Sequence, residues 1–174
     1  MNNKFAEMLT WNAFVSDVYN IASINHQNQT RKDKVTLYIN HPLDVAFRIY
    51  NFAQVNQWYY QDISFRTALA LAHDTLEYIR LFENETHEMA TDRLMSNYSD
   101  VCKKHNMYYD KFIAVLLLLT KDDTIKYDDY LLKIKANEDA RIVKTFDMIS
   151  NLSDNPSPKQ IVKYSKGLSI LNQI

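Results

Sequence analysis

Five residues in a fixed order could perform hydrolytic chemistry: His41 in YINHPLDVA, the pair His73-Asp74 with Glu77 in ALAHDTLEY, and Asp147 in VKTFDMISNL. Adjacent helical residues diverge by roughly a hundred degrees, yet the imidazole and carboxylate of His73 and Asp74 can both reach a cation over the edge between their faces. Two more ligands must come from other helices. His41 and Asp147 stand in otherwise apolar, core-like sequence, where an acid needs a partner and a cation supplies one. Two histidines and two aspartates suit Mn²⁺, Mg²⁺ or Fe²⁺ and leave two octahedral positions for water and a phosphate oxygen, as an open catalytic site requires. Glu77 follows His73 by four residues and Asp74 by three, so it projects from the same face one turn along. It is the candidate general base. An HD dipeptide by itself is common; only the whole set points to this chemistry.

Such side chains need rigid elements. Gly167 is the sole glycine, and apolar residues recur at three- and four-residue spacing almost throughout, so the expected fold is all-α: one helical bundle over residues 1–174. Met8, Trp11, Val15, Val18 and Ala22 mark the inner face of a first helix, followed by a polar loop from His26 to Lys34. Val35 to Ile39 suggest a short extended piece. Pro42 then opens a helix with Leu43, Ala46, Ile49 and Tyr50 inward and His41 at its start. Asp62 or Ser64 is expected to cap the next helix, whose stripe of Leu69, Ala72 and Leu76 places the His-Asp pair mid-helix. A polar helix from about Thr86 to His105, an apolar one capped by Asp110, a helix from about Asn137 to Asn151 and a last one begun by Pro158 complete the bundle.

Composition narrows the function classes. At 174 residues, 24% charged and a net charge of -1, the chain lacks the bulk basicity of a nucleic-acid binder. Its longest apolar run, Phe112 to Leu119, is too short to span a bilayer, and the N-terminus lacks a signal pattern, so a cytoplasmic protein without membrane or nucleic-acid partners is expected. The single cysteine, Cys102, excludes an internal disulfide or a thiolate-rich zinc site and reads as a buried thiol. His26 and His105 fall in polar, loop-like stretches, KYDDYLLK reads as an exposed charged turn entering a helix, and ENETHEMATD reads as a solvated helix start. None of these is assigned chemistry. The numerous tyrosines are expected to pack in the core.

Taken together, RKDKVTLYINHPLDVA, LALAHDTLEYI, LLTKDDT and ARIVKTFDMISNLSD resemble, over about residues 29–154, the hydrolase domain of the RelA/SpoT superfamily, specifically the stand-alone small alarmone hydrolases. The resemblance implies a helical HD fold that uses Mn²⁺ to remove the 3′-diphosphate of guanosine tetra- and pentaphosphate, giving pyrophosphate and GDP or GTP. It implies His41, His73, Asp74 and Asp147 as metal ligands. It also puts Arg31 and Lys32 near the nucleobase or phosphates, Asn151 at the nucleotide, and Lys121 and Lys144 close to the site. One departure stands out: the family follows the glutamate with aspartate, whereas Tyr78 follows Glu77 here. A tyrosine is neutral near pH 7 and cannot replace a carboxylate base. Activity is then expected to be reduced, redirected, or carried by Glu77 alone. The alternatives are an HD phosphohydrolase of another nucleotide, such as an adenosine alarmone, a deoxynucleotide or a monophosphate, and a catalytically weak nucleotide-binding protein.

Overall fold

The structure is a computed structural model that describes residues 12–172. Met8 and Trp11, expected on the first helix face, lie outside the described residues. Within them the chain is all-α: α1 (Ala13–Asn25), α2 (Asn40–Val55), α3 (Tyr60–Ala72), α4 (His87–Lys104), α5 (Tyr109–Leu119), α6 (Tyr127–Lys135), α7 (Glu138–Ser153) and α8 (Pro158–Asn172). No described helix is long and apolar enough to cross a membrane.

The helix starts follow local chemistry. Asn12, Thr86 and Asn137 accept from the backbone N–H groups of Val15, Met89 and Ala140, satisfying donors that α1, α4 and α7 would otherwise leave open. Two expected caps are corrected. α3 starts after Tyr59, with Asp62 in its first turn and Ser64 inside it, where the Ser64 hydroxyl donates back to the Tyr60 carbonyl (2.8 Å). α5 starts after Tyr108, so Asp110 favours the helix by its charge in the first turn and makes no cap hydrogen bond. The ends follow from the scarcity of glycine. Gln57, Asn106 and Asn155 take left-handed backbone just past α2, α4 and α7. At Asn106 the closure is a Schellman motif, with the Met107 N–H on the Cys102 carbonyl (2.8 Å). Asparagine tolerates that conformation better than most residues with a Cβ.

α3 runs through the centre, with Leu69, Ala70, Leu71 and Ala72 fully buried, and packs against α1, α2, α5 and α7. α8 closes the bundle over α6 and α7. Gly167 permits that closure: a Cβ there would stand 2.8 Å from Met148 Cε and 3.3 Å from Leu131 Cδ1. Gly167→Val is therefore expected to destabilise the protein by about 1–3 kcal/mol, seen as a lower urea midpoint with unchanged slope. An unchanged midpoint would show that Met148 moves aside freely.

The expected extended piece is also corrected. Val35 to Ile39 form no strand; a single antiparallel bridge joins Thr30 to Leu37. Asp33 holds the turn between them, accepting from the Val35 and Thr36 N–H groups (3.0 and 2.9 Å) and the Thr36 hydroxyl (2.5 Å). Arg31 and Lys32 ride on this braced turn, directly before α2.

Candidate metal centre

Three elements converge on one buried point. His41 lies in the first turn of α2, His73 just past the end of α3, and Asp147 on the inner face of α7. Ligand atoms of these three all lie within 4.8 Å of one another, and the group could hold a metal ion. His41 Nε2 is 3.0 Å from Asp147 Oδ1 and 3.7 Å from Asp74 Oδ2, while His73 Nε2 is 3.2 Å from Asp74 Oδ1. The rings are aimed from behind. His73 Nδ1 lies 2.7 Å from the Ala70 carbonyl, which can only accept, so Nδ1 carries the proton and neutral His73 presents a bare Nε2. That Nε2 is buried without a hydrogen-bond partner. His41 Nδ1 faces the Ser150 hydroxyl at 3.1 Å. With His73 neutral, its Nε2, the His41 imidazole and the Asp147 carboxylate offer nitrogen and oxygen donors to a metal ion.

The His-Asp pair does not lie mid-helix. α3 ends at Ala72, and the chain turns from His73 to Tyr78. The Thr75 N–H and hydroxyl both donate to the Ala72 carbonyl (2.9 and 2.8 Å), drawing it out of the regular ladder, and the same hydroxyl meets Tyr98 Oη of α4 at 2.9 Å. The freed backbone is satisfied from α1 and the loop after it. Asn25 Nδ2 donates to the Thr75 and Tyr78 carbonyls (3.2 Å each), Gln29 Nε2 donates to the Tyr78 carbonyl (3.0 Å), and Asn25 Oδ1 accepts the Arg80 N–H (3.1 Å). Asn25 and Gln29 thus fix the segment that carries Asp74, Glu77 and Tyr78.

Lys144, expected only as a nearby cation, is built into the centre. Its Nζ is 2.8 Å from Asp147 Oδ2, and its side chain is 15% exposed. Burial opposes the charge on each, but their mutual attraction holds the Asp147 carboxyl well below, and the Lys144 ammonium well above, their ordinary values. Burial likewise pulls His73 down, but the Asp74 and Asp147 carboxylates win and push it up to about 9.

The protonated His73 of the metal-free protein therefore contributes stability that is complete below the ordinary value of 6.5 and is lost as pH rises through about 9. The urea midpoint of metal-free protein is expected to fall across that window. A flat profile would contradict the environment described for His73. A bound cation requires His73 neutral, so metal affinity should rise over the same range.

The centre opens onto a pocket of about 550 Å³. Its lining carries six cations, Arg31, Lys32, Lys34, Lys121, Lys144 and Lys163, against three acids, Asp74, Glu77 and Asp147. Every expected site residue except the more deeply placed His73 lines it. Asn151 donates to Asp147 Oδ1 (2.6 Å) and accepts from Arg31 Nη2 (3.3 Å), and Arg31 is paired with Asp154 (2.8 Å) above the Tyr38 ring. Lys121 is turned toward Asp123, 3.0 Å away. Glu77 is exposed on the pocket wall, next to Tyr78, whose ring packs 5.2 Å from Tyr38.

Several lining residues were not expected. Tyr127 and Tyr130 belong to α6, so the helix that KYDDYLLK was expected to enter begins already at Tyr127 and presents aromatic side chains inward. Tyr130 is buried, donates to the Leu119 carbonyl, and is pushed up to about 12 by burial. Lys163 and Tyr164 come from α8, with Lys163 Nζ over the Tyr127 ring at 4.5 Å. The Lys-Tyr dipeptides at 126–127 and 163–164 were the available signal. His26 is corrected as well: it is buried, 4.8 Å from the Tyr38 ring, with Nδ1 on Gln29 (2.8 Å) and Nε2 unpartnered. His105 pairs with Asp17 at 2.7 Å. Cys102 is buried as expected, and burial raises its thiol to about 11. Comparisons with protein-family models and with curated proteins yield no match to this chain.

Proposed function

We propose that this chain is a metal-dependent hydrolase that removes the 3′-diphosphate from guanosine tetra- and pentaphosphate, releasing pyrophosphate and GDP or GTP. The observation that carries the reading is the buried His41, His73 and Asp147 group opening onto a pocket whose lining is six cations to three acids. Asp74, 3.2 Å from His73 Nε2, is assigned as the fourth ligand. The cation proposed is Mn²⁺, with Mg²⁺ or Fe²⁺ as substitutes; bound there, it would supply Lewis acidity at a phosphoryl oxygen and lower the pKa of water.

The chain's own groups do the rest. His41, His73, Asp74 and Asp147 would hold the ion, and Lys144 neutralises the far oxygen of Asp147 so that buried negative charge does not accumulate. Glu77 takes the proton of the attacking water. Lys32, Lys121 and Lys163 neutralise the phosphates, and Arg31 packs against the base with its planar guanidinium. Asn151 ties Arg31 to Asp147, so that the nucleotide-facing and ion-facing sides are joined through one side chain.

A second reading is favoured by Tyr78. An aromatic ring stands where the family places a second acid, and it suits a hydrolase of a different nucleotide. The test is pyrophosphate and phosphate release by Mn²⁺-loaded protein from a panel: guanosine tetraphosphate, adenosine tetraphosphate with the same 3′-diphosphate, deoxynucleoside triphosphates and monophosphates. Pyrophosphate from the guanosine compound, with others at least tenfold slower, supports the proposal. Faster turnover of another member supports the second reading, and binding without turnover of any member supports a nucleotide-binding role.

A further inference from the structure

We infer that Tyr38 is a positioning residue whose hydroxyl fixes the Asp74 carboxylate in the orientation that a metal ion requires, an inference that rests on the reading of Asp74 as a ligand. Asp74 lies past the end of α3, on a turn with no regular helical ladder, so the backbone alone does not set its side-chain direction. Tyr38 Oη donates to Asp74 Oδ2 at 2.7 Å. That leaves Oδ1, 3.2 Å from His73 Nε2, as the oxygen free for a cation. A phenol hydroxyl is protonated near neutral pH, so it supplies this hydrogen bond without competing as an anion.

Tyr38 is itself held from several sides. Its N–H donates to the Gln29 carbonyl (2.9 Å), and its carbonyl accepts the His41 N–H (2.9 Å), tying it to the turn that delivers His41. The His26 ring lies 4.8 Å and the Tyr78 ring 5.2 Å from its own. One side chain therefore links the start of α2 to the carboxylate beyond α3. Hydrogen bonds of this kind orient metal-binding side chains, and their loss typically weakens metal affinity by about 10–100-fold.

Tyr38→Phe keeps the ring and removes only the hydroxyl. Titration calorimetry with Mn²⁺ should show its dissociation constant about 10–100-fold weaker than wild type, while the metal-free variant keeps the wild-type circular dichroism spectrum and melts cooperatively, lower by several degrees for the lost hydrogen bond to Asp74. In an Asp74→Ala background the same replacement should change the constant less than about twofold, because the acceptor is gone. Wild-type affinity in Tyr38→Phe, or an equal loss with and without Asp74, overturns the inference and leaves the metal site standing. Absence of Mn²⁺ binding by the wild-type protein overturns the metal reading itself, and the inference with it.

Discussion

Asp147→Ala is expected to abolish Mn²⁺-dependent hydrolysis, a fall on the order of a thousandfold or more, equivalent to about 4 kcal/mol in the barrier. The replacement removes a ligand that meets His41 Nε2 at 3.0 Å and lies 3.8 Å from His73 Nε2. It also strands Lys144, whose ammonium pairs with Asp147 at 2.8 Å. Removing one partner of a buried pair typically costs about 3–5 kcal/mol. The variant should therefore lose both activity and a large part of its stability. Asp147→Ala combined with Lys144→Met separates the two effects, since the second change removes the unpaired charge. The double variant should regain most of the urea midpoint and none of the metal binding. Recovery of Mn²⁺ binding in it would show that Asp147 serves the fold alone.

The second large effect concerns Glu77. Glu77→Gln keeps shape but cannot accept a proton, and is expected to lower turnover by about 10²–10⁴-fold. Tyr78→Phe should lose far less, because the Tyr78 ring packs against Tyr38 while its phenol is held neutral by burial and by the neighbouring Glu77 charge. Tyr78→Asp restores the acidic pair of the resembled family and should raise pyrophosphate release from guanosine tetraphosphate. Equal rates for wild type and Glu77→Gln would remove Glu77 from the mechanism. No gain in Tyr78→Asp would indicate that Tyr78 belongs to the recognition of another nucleotide.

The site was most legible where polar residues interrupt apolar periodicity. His41 and Asp147 stand out because their helical neighbours Leu43, Val143 and Met148 are buried, so a polar group there demands a partner. The position of His73 and Asp74 was less legible. The spacing of Leu69, Ala72 and Leu76 continues the helical period past Ala72, whereas the chain turns there, with Thr75 bonded to the Ala72 carbonyl and to Tyr98 and with Asn25 bonded to the Thr75 and Tyr78 carbonyls. Tyr98 lies 23 residues away from Thr75, a partnership that periodicity does not register. His26 misleads for a similar reason: its sequence neighbours are polar, but Tyr38 folds over it. The part of the pocket wall supplied by α8 was least legible. Lys163 and Tyr164 become part of it only because α8 packs across α6 and α7, a long-range arrangement permitted by the missing side chain at Gly167.

The most direct test of the central claim is a crystal structure of the protein soaked in Mn²⁺, with the ion located by its anomalous scattering. One strong peak is expected, with nitrogen or oxygen atoms of His41, His73, Asp74 and Asp147 at about 2.0–2.6 Å from it. A peak more than about 3 Å from these side chains, or bound Mn²⁺ only at surface carboxylates, would contradict it.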